Sequence, residues 1–152
     1  CIRDNEEEEK IMTIKQISVF LENRPGKLAE FAAVLSAQKI NLRAISVAEA
    51  ADFGIVRIIV DDVFNAVTIL KNENYICSIT DVIAVEVQDE PGMLANMIAV
   101  LGTEGINIEY MYTILGKKND VAYMIIRTND DAQAAKILDA KGFRIVGMDA
   151  MK

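Results

Sequence analysis

The chain has 152 residues, 52% of them hydrophobic and 26% charged, with a formal net charge of -7. That length gives one ordinary domain or two very small ones with a folded core, and the acidic balance lacks the electrostatic footprint of a general nucleic-acid binder. Histidine is absent, which removes the commonest general base and the commonest zinc ligand together.

In chain order, the first residues contain the run Asp4-Asn5-Glu6-Glu7-Glu8-Glu9-Lys10, a solvated acidic tail over residues 1–12. A start at Cys1 is processed, truncated or artificial, and Met12 is expected as the natural start. Ile14–Leu21 alternates apolar and polar side chains, with Ile17, Val19 and Leu21 on one face, and predicts a half-buried strand. Pro25-Gly26 opens a helix with Leu28, Phe31, Val34 and Leu35 inward. Leu42–Ala48 and Ile55–Val60 read as two strands around an Asp52-Phe53-Gly54 turn, and Val63–Asn72 as a second helix. A short strand, Tyr75–Ile79, follows. The order then repeats: strand Val82–Val87, helix Gly92–Glu104, strands Ile108–Leu115 and Val121–Arg127, helix Asp131–Lys141, strand Phe143–Met148.

The repetition extends to residue identity. A shift of 66 positions lays Pro25-Gly26-Lys27-Leu28-Ala29 on Pro91-Gly92-Met93-Leu94-Ala95, and Ile40-Asn41 on Ile106-Asn107. Two extra residues in the Gly116–Asp120 loop make the later shift 68, where Asp62, Ala66 and Ile69-Leu70 meet Asp130, Ala134 and Ile137-Leu138. The chain is therefore two copies of one unit of about 65–70 residues. We expect a tail at 1–12, a first domain at 13–80 and a second at 81–152. Each unit has the order β-α-β-β-α-β, an α+β, ferredoxin-like plan with both helices on one face of an antiparallel sheet. Adjacent apolar residues in the strands, such as Ile58-Ile59-Val60 and Met124-Ile125-Ile126, predict burial of both sheet faces over part of their length. Pairing of units or of chains would supply the second cover.

The loops before the first helix of each unit, Glu22-Asn23-Arg24-Pro25-Gly26-Lys27-Leu28 and Gln88-Asp89-Glu90-Pro91-Gly92-Met93-Leu94, are the most informative motif. Proline fits a first helical turn, and glycine lets a ligand or backbone approach closely. The N–H groups beyond them form a positive helix end suited to a small carboxylate. A plain helix start explains the same residues. Asn41 and Asn107 fit left-handed turns after a helix, or an amide facing a ligand. Tyr110 and Tyr112 share one strand face, as packing residues or as a ligand wall. The serines have neither a histidine to activate them nor a GxSxG setting. Asp61-Asp62 and Asn129-Asp130 fall where helices begin, so capping accounts for them. Cys1 and Cys77 form no CxxC, which predicts a reduced, cytoplasmic protein without a structural metal. Apolar runs stop short of the ~20 residues of a membrane helix, and no secretory h-region is present.

Two such units, each with Asn/Asp-x-Pro-Gly-x-Leu and a later Ile-Asn, resemble the ACT domain over about residues 13–149. Gly105-Ile106-Asn107-Ile108 follows the family pattern, while Lys39-Ile40-Asn41-Leu42 lacks its glycine. The resemblance implies a stand-alone tandem ACT protein: a non-catalytic regulatory sensor that binds amino acids where units meet. It needs no cofactor and has a free amino acid, a second copy as a homodimer and a metabolic enzyme as its partners. Carried over to this chain, the helix-start groups of Gly26, Lys27 and Leu28 would hold a ligand carboxylate, and those of Gly92, Met93 and Leu94 another. Asn23 and Asp89 would meet the ammonium, and Asn41 with Leu42, or Asn107 with Ile108, would complete each site beside Pro25 and Pro91. Arg24 against Glu90 makes the two sites unequal, with Arg24 and Lys27 favouring a carboxylate at the first. The alternative is a ligand-independent subunit docking on a metabolic enzyme. An acylphosphatase-like enzyme is a third reading, but the loop lacks a phosphate-cradling nest.

Overall fold

The computed structural model describes residues 12–88, 90–115 and 121–151. The acidic tail with Cys1, the Gly116–Asp120 loop and Asp89 lie outside the described residues. The described chain divides into two compact units, Lys15–Asp81 and, from Val82 onward, a second that also takes in Met12–Ile14.

The first unit contains β1 (Ile14–Glu22), α1 (Lys27–Ala37), β2 (Leu42–Ala50), β3 (Phe53–Val60), α2 (Val63–Asn72) and the beginning of β4 (Ile76–Gln88). Its antiparallel order is β2-β3-β1, with β4 on the other side of β1. Alternation decides which residues face the helices. Ile17, Val19 and Leu21 of β1 join Val56, Ile58 and Val60 of β3 in one cluster with Phe31, Leu35, Ala66 and Leu70 from the helices. Both helices therefore cover one face. The Phe31 ring meets Tyr75 edge-on at 5.6 Å.

The second unit repeats the plan with the rest of β4, then α3 (Met93–Thr103), β5 (Ile108–Leu115), β6 (Val121–Thr128), α4 (Asp131–Ala140), β7 (Arg144–Val146) and a short α5 (Met148–Met151). Its order is β5-β6-β4-β7, all antiparallel. Ile83, Val85, Met124 and Ile126 face Met97, Leu101, Ala134 and Leu138 in its core.

The two copies agree in irregularities as well as in elements. A bulge interrupts β2 between Leu42 and Ala44, and another interrupts β5 between Ile108 and Tyr110. The extra residue keeps Leu42 and Ile108 packed against the cores, while the strands beyond continue in the shifted phase. Asp62 and Asp130 cap α2 and α4, accepting from the amides of Asn65 and Gln133 at 3.2 and 3.1 Å. After the first helix of each unit, Lys39 and Gly105 take the same left-handed conformation, with φ 57° and 78°. An L side chain is strained there by roughly 1–2 kcal/mol, offset in part by the greater unfolded-state freedom of glycine. Lys39→Gly should therefore raise stability by about 0.5–1 kcal/mol, and Gly105→Lys should lower it by a similar amount. Urea unfolding midpoints of the two variants check the pair of signs.

Some expectations change. The two short strands Tyr75–Ile79 and Val82–Val87 are one continuous strand, β4, because residues 80 and 81 carry no helix or turn former strong enough to break the ladder. The β2–β3 turn falls on Ala51-Asp52, with Ala51 left-handed at φ 50°, and Phe53 and Gly54 already belong to β3. The last strand shrinks to Arg144–Val146, after which Gly147 releases the chain into α5. Leu28 does not turn inward: it is 43% exposed on the first turn of α1, where the helix has not yet reached over the sheet. In the second unit both faces of the central strands are buried, since Val82, Ala84, Tyr123 and Ile125 are covered as well as their neighbours. Helix α5 contributes there, with the Tyr123 hydroxyl donating to the Ala150 carbonyl at 3.0 Å. In the first unit Phe20 and Phe53, on the face away from the helices, remain open.

Candidate ligand site at the Pro-Gly loops

Each loop between the first strand and first helix is built by the same backbone bonds. The Arg24 amide donates to the Glu22 carbonyl at 3.0 Å, and Glu90 to Gln88 at 2.8 Å. Lys27 donates to Arg24, and Met93 to Glu90, both at 3.3 Å. Gly26 and Gly92 are then the N-cap residues, left-handed at φ 88° and 89°, with no side chain capping either helix. The amides of Glu30 and Asn96 close the first turns onto the Gly26 and Gly92 carbonyls. A left-handed N-cap without a capping side chain leaves the helix end to water or to an anion. Both glycines have open space where a Cβ would stand, so packing does not require them; the backbone angle does.

The side chains around the two helix starts differ. In the first loop, the Asn23 side-chain amide donates to the Ala51 carbonyl at 3.2 Å and its backbone amide to the Asp52 carbonyl at 3.0 Å. Asn23 thus ties the loop to the β2–β3 hairpin. Arg24 pairs with Glu22 at 2.6 Å and Lys27 with Glu30 at 3.4 Å. The two cations that would favour a carboxylate here are therefore each offset by an acid of the same loop or helix. Pro25, Pro91, Glu90 and Leu94 are exposed, while Met93 is half-buried against the second core. Leu94, 41% exposed, occupies the position of Leu28.

The Ile-Asn motifs do not join these loops within their own unit. Asn41 and Leu42 follow the far end of α1, and Asn107 and Ile108 the far end of α3. Eleven helical residues separate the two motifs, about 16 Å at 1.5 Å per residue. Asn41 is exposed and Leu42 packs against the core. The Asn107 amide donates to the Asn129 side-chain oxygen at 2.9 Å, and Asn129 returns a bond to the Asn107 carbonyl at 3.1 Å. At the corresponding place in the first unit Arg43 grips Asp61 through two bonds of 2.8 and 2.9 Å, which holds its guanidinium in the charged form above its ordinary range. The left-handed residues of these turns are Lys39 and Gly105, so neither Asn41 nor Asn107 takes the conformation expected of it, and Asn107 engages Asn129 through its backbone.

Among the described residues no group of three or more acids and cysteines could hold a metal ion, and no helix is long and apolar enough to cross a membrane. Burial pushes the Cys77 thiol above its ordinary range, so it is no activated nucleophile.

Sequence reasoning missed a cleft of about 420 Å³ in the first unit, lined in part by Phe20, Glu22, Phe53, Glu73 and Tyr75. Glu22 belongs to the first Pro-Gly loop and Phe53 to the expected turn, but neither segment points to the other or to Phe20, Glu73 and Tyr75. The signal available was the mismatch between repeats, since Glu22, Glu30 and Glu73 stand against Gln88, Asn96 and Lys141.

Two ferredoxin-like units in tandem, each presenting an uncapped helix start on a Pro-Gly loop, define the class of duplicated α+β modules. The chain belongs to the ACT family: the family model described as an ACT domain pair matches residues 12–150. Among solved structures it is similar to protein BT0572 from Bacteroides thetaiotaomicron, with 38% identity over 92% of this chain and 96% of that one and a TM-score of 0.84. It shares its fold with the regulatory subunit of aspartate kinase from Thermus thermophilus, at 16% identity, 88% and 95% coverage and a TM-score of 0.62. The regulatory subunit of aspartate kinase from Thermus flavus is similar too, at 17% identity, 83% and 90% coverage and a TM-score of 0.59. No curated protein matches the sequence.

Proposed function

We propose that this ACT pair is a non-catalytic regulatory module that binds a free amino acid at its Pro-Gly loops and acts, in the cytoplasm, through its assembly or a metabolic enzyme partner. The observation that carries this reading is the duplicated helix start: left-handed Gly26 and Gly92, uncapped, with matching bonds on either side. An α-carboxylate suits the amides and dipole there, and Leu28 and Leu94 offer exposed apolar surface beside it for a side chain. Asn41 or Asn107 would join such a site only from a neighbouring unit or copy. An uncovered edge strand supports a homodimer, since Ile45 and Val47 of β2 are exposed on the helix side of the first sheet. The domains would then act as 13–80 and 81–152. Docking on an enzyme without any ligand rests on the same uncovered β2 surface. A thermal-shift screen against the twenty amino acids tests the sensor reading. A ligand at 100 times its dissociation constant should stabilise the fold by about 2.7 kcal/mol. A flat screen, together with an enzyme that co-purifies in stoichiometric amount, would favour docking.

A further inference from the structure

The cleft of the first unit opens where β1 ends, beside the first turn of α1 and the α2–β4 connection. Its volume of about 420 Å³ falls in the range of small-ligand pockets. Two kinds of group line it. Phe20 and Phe53 form a tilted aromatic pair with centroids 6.1 Å apart, and they are 42% and 44% exposed. Three acids, Glu22, Glu30 and Glu73, line it with one cationic side chain, Lys27. Lys27 is engaged by Glu30 at 3.4 Å and Glu22 by Arg24 at 2.6 Å, while Glu73 makes no ion pair among the described residues. Tyr75 registers the surplus of negative charge: burial first, then Glu30 and Glu73, raise its phenol above the ordinary range.

The second unit has the same fold without this chemistry. Phe20 becomes Glu86, Lys27 becomes Met93, and Glu22, Glu30 and Glu73 become Gln88, Asn96 and Lys141. The fold therefore does not require the acids or the exposed ring, and both are confined to one copy.

We propose that this cleft binds an organic cation, an ammonium group carried on an apolar chain, with the ammonium among Glu73 and Glu30 and the chain across Phe20 and Phe53. The carboxylates pair with the ammonium, and the rings take the apolar chain out of water. A ligand carboxylate is not needed, because the one cation of the cleft already has its acid. The cleft shares Glu22 and Lys27 with the first Pro-Gly loop, but the groups proposed to hold the ammonium, Glu30 and Glu73, lie outside that loop, so this goes beyond carboxylate binding there. The ammonium can come from a free aliphatic amine or from the side chain of a basic amino acid.

Calorimetric titration of the full chain with 1,5-diaminopentane, L-lysine and, as the uncharged control, 1-pentanol tests the proposal. Saturable binding of diaminopentane, alone or together with lysine, is the expected result, with none of pentanol. Binding of diaminopentane alone assigns a free amine; binding of both assigns the shared ammonium chemistry. Phe20→Ala, which removes apolar surface from under the chain, should weaken binding about two- to fivefold. Adding Glu73→Gln should bring the loss to about tenfold or more. Both side chains are exposed, so the fold should survive, as circular dichroism will show. Should the double variant misfold, Glu73→Lys, which copies Lys141 of the second unit, is expected to abolish binding alone. No saturable binding of diaminopentane at about 10 mM overturns the proposal. So does binding of lysine alone, or affinity unchanged in the variants. Titration with neutral amino acids reports on the loops, and its failure would leave this result standing.

Discussion

Phe31→Ala should destabilise the protein by about 3–5 kcal/mol, the largest stability effect expected of any single truncation in the first unit. The ring is fully buried between the β1–β3 face and Tyr75, so its loss removes transfer free energy and leaves a cavity that the sheet cannot collapse to fill. The neighbouring aromatic contact is lost with it. Chemical denaturation followed by circular dichroism gives the value. A loss below about 1 kcal/mol would mean that α1 does not pack as described.

The second large effect is on binding. Valine at both Gly26 and Gly92 should lower amino-acid affinity by about 10–100-fold, the equivalent of losing one or two charge-assisted hydrogen bonds. The added side chain meets open space in the fold, but it stands before the helix amides and strains a φ near 90°. Gly105→Val is the control. Its φ of 78° and its open surroundings are similar, yet it follows α3, at the opposite end of that helix from the second loop. Gly105→Val should lose similar stability per site and keep its affinity, which separates a binding role from backbone strain.

The two-unit plan was legible in the sequence because the same residues recur in the same order. The alternation in β1 placed Ile17, Val19 and Leu21 in the core, and the acids Asp62 and Asp130 cap their helices. What escaped has physical reasons. Periodicity cannot show where one strand ends and the next begins when polar residues such as Ser78, Thr80 and Asp81 are tolerated within a ladder, so the pattern of β4 resembles two strands. Leu28 has helical spacing but sits on a first turn that overhangs the sheet, where spacing does not imply burial. The charges of Arg24 and Lys27 were visible, but their pairing with Glu22 and Glu30 depends on side-chain reach and not on composition. The cleft of the first unit draws on β1, α1, β3 and the start of β4, so the Pro-Gly loop motif marks only its Glu22 and Lys27.

The most direct measurement of the sensor reading is isothermal titration of the unaltered chain with each of the twenty amino acids. The expected result is saturable binding of one amino acid or a small chemical group of them, weakened by the paired Gly26→Val and Gly92→Val substitutions and unaffected by Gly105→Val. Absence of heat from every amino acid at millimolar concentration would contradict it, as would binding that survives valine at both loops.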